Sequence, residues 1–312
     1  MKFTIAIPAF KVKFLQEAIH SCLSQTFDDL EVVVVNDASP ENLDAIMSRY
    51  DDPRIRYYKN EKNCGIINVV DNWNICLSHA HGNYIICMGD DDRLLPNCLE
   101  EYCKLMDKYP NLAVYHAMTE LIDENSEFFS LQQPRPEYES AFSLAWNRWN
   151  GRNKQYIGDF CYDTKVLRED GGFFKLPMAW GSDDITAIRA AAHSGIANTQ
   201  IPCFQYRVNR LNITSTGATS VKMEATMLEK QWFCGFINQN IDRHDLPELD
   251  KKFIACLLFE LPKHYTEKFK GEMIGDLRKT QGTRLLHWLL RCKNYGLSKT
   301  DVLKCLAKSF HI

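Results

Sequence analysis

EVVVVNDAS, Glu31 to Ser39, is a run of four valines that ends in a polar turn. A strand with one wet face alternates apolar and polar residues; an unbroken β-branched run marks a strand covered on both faces, as in parallel sheets flanked by helices. The pattern on either side agrees. Upstream, Thr4–Pro8 reads as a strand, and Phe14, Leu15, Ala18, Ile19, Cys22 and Leu23 fall on one face of a helix. Downstream, Glu41–Tyr50 reads as a helix and Ile55–Lys59 as a strand. A loop through Asn63, Cys64 and Gly65 then leads into a helix carrying Val69, Val70, Trp73 and Leu77. Tyr84–Met88 and Leu112–Ala117 are further strands, with Pro96 expected at the first position of the helix between them. Strands separated by helices predict right-handed βαβ units, hence an α/β fold with a mostly parallel sheet flanked by helices.

In such sheets ligands bind beyond the carboxyl ends of the strands. Pro8-Ala9-Phe10, Asn36–Ser39 and Gly89–Asp92 all fall there. The last lies in IICMGDDDRLLP (Ile85–Pro96), where three consecutive aspartates follow an apolar strand. Like charges repel by about 4 kcal/mol per pair at ~4 Å and an effective dielectric near 20, so either the three diverge into water or a cation sits among them. No GxGxxG follows the first strand and no P-loop is present, so a bound phosphate needs another device. Carboxylates from Asp90, Asp91 and Asp92 holding Mg²⁺ or Mn²⁺ against diphosphate oxygens would supply one. The plainer alternative is a solvated loop with aspartates near a helix N-terminus. Asp37 is similarly open, as a turn-capping residue or as an acceptor for a base or ribose. In AWGSDDITAIRAA (Ala179–Ala191), Asp183 and Asp184 precede an amphipathic stretch. N-capping explains one of them, and a general base beside the aromatic wall of Trp180 is the functional reading of the pair.

At 312 residues, 45% hydrophobic and 25% charged, the chain has ordinary globular composition. Twelve cysteines are scattered without a CxxC pair, and no signal-peptide pattern or apolar run of membrane-spanning length is visible, so a cytoplasmic protein with reduced thiols is expected. Charge is segregated: residues 251–312 carry 13 Lys/Arg against 5 Asp/Glu, leaving 24 against 35 for the first 250. Between about 124 and 155 the pattern loosens, as an excursion over the site would. From 218 onward only helical periodicity remains, giving an expected domain over 1–217 and a helical extension over 218–312. In the tail, Leu285, Trp288 and Leu289 share a helical face flanked by Arg and Lys. Peripheral association with the inner membrane face is one reading. A bundle with a solvated basic side is the preferred one. Nothing points to nucleic acid, and the oligomeric state is not readable.

These residues, in this order, resemble the family 2 glycosyltransferases of GT-A fold. TIAIPAFK looks like the family's opening strand, and EVVVVNDAS like its second strand with an acidic turn. The stretch from Asn63 to Pro96 carries Asn63-x-Gly65, Asn72-Trp73-Asn74, Ala80-x-Gly82-x-Tyr84-Ile85 and the acidic triplet. REDGGFF with GSDD is similar to the family's GGF and Asp-Asp segments, and Tyr206–Ser215 to its closing Tyr-Arg segment. The resemblance covers about residues 1–217. It implies an inverting transfer from a nucleoside-diphosphate sugar, most often a UDP-sugar, to a glycan or lipid-linked acceptor, as in polysaccharide or lipopolysaccharide synthesis. By that analogy Pro8, Ala9, Phe10, Asp37, Asn63, Gly65, Asn74, Asp90 and Arg207 would bind the nucleotide sugar. Asp91, with Asp92, would hold the divalent cation of a DxD motif, Asp184 with Asp183 would serve catalysis, and Trp180 would face the acceptor. Two positions depart from the pattern: Gly89 stands where the first DxD aspartate is usual, and Asn209 where histidine is common. They keep open a non-catalytic nucleotide- or carbohydrate-binding relative. A sugar nucleotidyltransferase is disfavoured because PAFKVK lacks a glycine-rich loop.

Overall fold

The computed structural model describes residues 1–209 and 218–310. The chain forms two compact units, one of residues 1–175 with 182–212, the other of 176–181 with 213–312. The expected boundary at 217 lies outside the described residues. The short segment 176–181, expected in the first domain, groups with the helical unit.

In the first unit, β1 (Phe3–Ala9), β2 (Leu30–Asn36), β3 (Ile55–Lys59) and β4 (Tyr84–Cys87) pair in parallel in the order β3-β2-β1-β4. Every residue of β2 is buried, as its valine run requires. Helices α1 (Leu15–Leu23), α2 (Asp44–Met47) and α3 (Val69–His79) make the crossovers. The expected helix over Glu41–Tyr50 is only the single turn α2, because Pro40 and the Asn36 and Ser39 turn bonds hold the preceding chain in a loop. Pro96 lies before the N-cap Asn97 of α4 (Cys98–Lys108) rather than inside it, and its carbonyl accepts from the backbone N–H of Thr26.

Beyond β4 the sheet becomes mixed. The two-residue β5 (Arg93–Leu94) lies at the far edge, and β6 (Val114–Ile122) outlasts the predicted strand by five residues. The loosely patterned region 124–155 holds two short strands, β7 (Phe128–Leu131) and β8 (Tyr138–Glu139), and helix α5 (Ala141–Trp149), capped by the Ser140 hydroxyl. Next, β9 (Phe160–Asp163) inserts antiparallel between β4 and β6, followed by α6 (Thr164–Glu169) and α7 (Ser182–Ser194). Strand β10 (Ile196–Arg207) runs parallel to β6 and antiparallel to β5. The core joins β1, β2 and β4 to α1 and α4 through Phe3, Ile5, Ile19, Val32, Val34, Ile86, Leu99 and Tyr102. Each such side chain contributes about 1.5–3 kcal/mol on burial.

The second unit is helical, as predicted: α8 (Thr219–Asn240), α9 (Glu248–Lys279), α10 (Leu285–Arg291) and α11 (Lys299–Phe310). Phe233, Ile254, Tyr265, Phe269, Leu277, Trp288 and Val302 are buried within it.

Candidate active site

The parallel strands deliver three polar turns to one rim. Asp37, just past β2, donates its backbone N–H to Ala9 at the end of β1, and Met88, just past β4, donates to Ala6. Asp37 is buried and holds the next loop. Its carboxylate accepts from Asn60 Nδ2 at 2.8 Å, Asn63 Nδ2 at 3.1 Å and the Cys64 backbone N–H at 3.0 Å. Gly65 follows at a φ of +78°, where only glycine turns without strain. The Cys64 N–H is shared with Oδ2 at 3.2 Å, so each carboxylate oxygen already has two donors.

The aspartate triplet diverges. Asp90 Oδ2 accepts the backbone N–H groups of Phe10 and Lys11, each at 2.7 Å, and thereby fixes the Pro8-Ala9-Phe10 turn. Burial, and next the Asp91 charge, push Asp90 up to about 6. Asp92 Oδ1 accepts the Arg207 backbone N–H at 2.9 Å, and burial followed by Asp91 raises it well above the carboxylate range. Asp91 faces the rim, with Asn209 Nδ2 at 2.7 Å and Lys11 Nζ at 3.9 Å from its Oδ2. Gly89 explains how they fit: a Cβ there would lie 2.9 Å from Asp92 Oδ2 and 3.1 Å from Asp91 Oδ1. Those two oxygens approach the space a side chain at 89 would fill.

Among the described residues no group of three or more His, Cys, Asp or Glu side chains could hold a metal ion. A preformed cage is therefore not what this site offers. The pair of hard oxygens over Gly89 does fit a cation carried in with phosphates, since Mg²⁺ is commonly held by one or two carboxylates plus substrate oxygens and water. Asp92 would share in that only through Oδ2.

Two residues expected to meet the donor hold neighbouring parts of the chain. Arg207 is fully buried. Its guanidinium donates to the Asp91 and Asp123 carbonyls, Ser126 Oγ and Glu17 Oε2, and lies 3.9 Å from the Phe14 ring centre. A buried cation needs such partners, and through them Arg207 clamps the aspartate loop. Asn74 likewise exchanges two hydrogen bonds with the backbone of Phe173, at 3.2 and 2.8 Å, and anchors the GGF turn.

The second acidic pair sits in the first turn of α7. Asp184 is buried, and its Oδ1 accepts from Arg148 Nε at 2.7 Å and Gln155 Nε2 at 3.0 Å. Asp183 keeps part of its surface exposed, yet burial, followed by the Asp184 charge, pushes it up to about 8. Trp180 belongs to the helical unit, where Lys222 Nζ lies 4.1 Å from its ring.

The two acidic clusters are connected through residues the sequence did not single out. Gln155 bonds Asp184, while its neighbour Tyr156 stacks on Tyr206 at 3.8 Å, one residue before Arg207. Gln132 and Arg135 hold this segment by donating to the Lys154 carbonyl. Lys11 and Arg148 were also missed. Lys11 was findable, as the first cation after a rim turn; Arg148 and Gln155 carry no local signal, because their partner is about 30 residues away.

A single mixed sheet with polar strand ends on one rim and a carboxylate pair opening a helix together define an α/β protein of the GT-A kind. Comparison with known proteins agrees. The sequence profile of glycosyl transferase family 2 matches residues 4–174, and the chain belongs to that family. An uncharacterized glycosyltransferase of Rickettsia typhi is 29% identical over 137 residues, which cover 43% of this chain and 42% of that protein. Chondroitin synthase of Pasteurella multocida is 28% identical over 189 residues, 55% of this chain and 19% of the synthase. The chain thus spans less than half the length of these curated relatives. Among solved structures, S. aureus TarS 1–349 in complex with UDP-GlcNAc superposes with a TM-score of 0.67 at 16% identity, covering 100% of this chain and 93% of that one. The GT-A-like fold is the content of that likeness.

Proposed function

We propose that the protein is an inverting glycosyltransferase that moves a sugar from a nucleoside-diphosphate sugar, a UDP-sugar in the first instance, to a hydroxyl of a glycan or lipid-linked saccharide. The observation that carries this reading is the pair of carboxylate sites on one unit, with Asp91 facing the rim and Asp184 fixed by Arg148 and Gln155. Membership of family 2 and the UDP-GlcNAc and UDP complexes of TarS support the donor class.

Asp37 and the loop it holds form the wall for base and ribose, and a hydroxyl or imino hydrogen of the nucleotide would share Oδ2 with Asn63 and Cys64. A divalent cation on Asp91, and on Asp92 through Oδ2, would neutralise the leaving diphosphate as a Lewis acid. Asp184 acts as the base. Arg148 and Gln155 occupy Oδ1, so the other oxygen takes the acceptor hydroxyl proton. The acceptor oxygen then bonds to the anomeric carbon as the carbon–phosphate oxygen bond breaks on the opposite face, inverting the centre.

Loss of a general base costs about 10²–10⁴-fold. Asp184→Asn should therefore lower kcat by at least about 100-fold in a donor-plus-acceptor assay while leaving UDP binding intact, and NMR of the wild-type product should show an inverted anomer. Unaltered turnover in the variant, or a retained anomer, would exclude this mechanism. Nucleotide binding without turnover over a broad panel of sugars and acceptors would favour a non-catalytic relative.

A further inference from the structure

The last two helices of the helical unit bear apolar residues that this unit does not bury. On α10, Trp288 points inward, 1% exposed, and donates Nε1–H to Asp276 at 2.7 Å. Arg284 bonds the other oxygen of the same buried carboxylate at 2.8 Å. With the helix pinned in that rotation, Leu286 and Leu290, about half a turn away from Trp288, face outward at 67% and 75% exposure. Helix α11 packs beside α10 and repeats the arrangement. Val302 and Cys305 face in, whereas Leu303, Ala307 and Phe310 share the outer side, Leu303 and Phe310 being 52% and 62% exposed.

The charge carried by this stretch of chain is mostly of one sign. Residues 284–310 carry Arg284, Arg291, Lys293, Lys299, Lys304 and Lys308 against the single acid Asp301. Asp301 is already engaged by Lys270 at 3.1 Å and by Ser298. Arg291, Lys293, Lys299, Lys304 and Lys308 are all exposed. Apolar ridges ringed by cations match a surface with an apolar interior and an anionic skin. A second copy of the chain would instead set these like charges against each other.

We infer that α10 and α11 form a docking face for an anionic phospholipid surface, with Leu286, Leu290, Leu303 and Phe310 entering the headgroup boundary and the flanking lysines and arginines meeting lipid phosphates. None of the described helices is long and apolar enough to cross a membrane, so attachment through this face is peripheral. This inference stands independently of the transfer chemistry.

The test is co-sedimentation of the full chain with phosphatidylcholine vesicles containing or lacking phosphatidylglycerol, at low and high salt. Partitioning should be at least about tenfold stronger on the anionic vesicles and collapse near 0.5 M salt. Leu286→Asp with Leu290→Asp, at positions already in solvent, should lower it about tenfold or more. Lys304→Glu with Lys308→Glu should lower it by about fivefold for each charge removed. Circular dichroism melting of each variant verifies folding. Equal partitioning onto neutral vesicles, or none onto anionic ones, overturns the inference. So does a leucine variant that changes the sedimenting mass of the free protein, which would make the face a contact between copies.

Discussion

Gly89 stands where the family pattern usually has an aspartate, and the absent side chain leaves space that its neighbours approach. Its bare Cα admits Asp91 Oδ1 and Asp92 Oδ2 to the vacated space. Gly89→Ala would press a methyl group against both, at a cost of about 1–3 kcal/mol in urea unfolding typical of overpacking, and should weaken metal-dependent UDP binding in a titration. At the second pair, the predicted effect is one of pH. The folded-state value of Asp183, about 8, lies above the ordinary carboxylate value. The folded chain therefore binds the extra proton, and stability from this group falls as pH rises from about 4 to 8, by up to about 1.4 kcal/mol per pH unit. Asp183→Asn should flatten that fall relative to wild type in unfolding titrations at pH 5, 6.5 and 8; parallel curves would remove Asp183 as its source. At this scale the acidic positions were legible because charge at a strand end is conspicuous. The burial of Arg207 was not legible, because Glu17 and Ser126 reach it from distant parts of the chain.

At the scale of elements, the segment 153–159 decides how the two carboxylate sites are spaced. It lies against β10, and Gly158 makes this approach possible, since a Cβ there would come within 2.6 Å of the Phe204 ring. Gly158→Ala should displace Gln155 and Tyr156 and reduce turnover more than UDP binding. Loss of both in equal measure, with the melting curve lowered in parallel, would mean that the residue matters only for stability. The β-branched strands and amphipathic helices of the first 110 residues were readable because both of their faces are apolar or periodic. Strands β7 and β8 and helix α5 were not, because short edge strands carry little alternation and the pairing partner of β8 lies nearly 60 residues downstream in β10.

For the whole molecule, the change of periodicity near residue 218 was legible in the sequence. The tail's helical character was legible as well. The allocation of 176–181 to the helical unit was not, since it depends on Lys222 over Trp180 and on Gly181 close to Glu229. The donor-site reading is tested most directly by the thermal stability of the chain with UDP, GDP, CDP and dTDP, each with and without Mn²⁺, for wild type and Asp91→Asn. A ligand that binds the folded state raises Tm, by about 2.7 kcal/mol of stabilisation at 100 times its Kd. The expected result is a rise with UDP that requires Mn²⁺ in wild type and is lost in Asp91→Asn. No rise with any nucleotide at millimolar concentration, or a rise that survives the substitution, would contradict a diphosphate site built on Asp91.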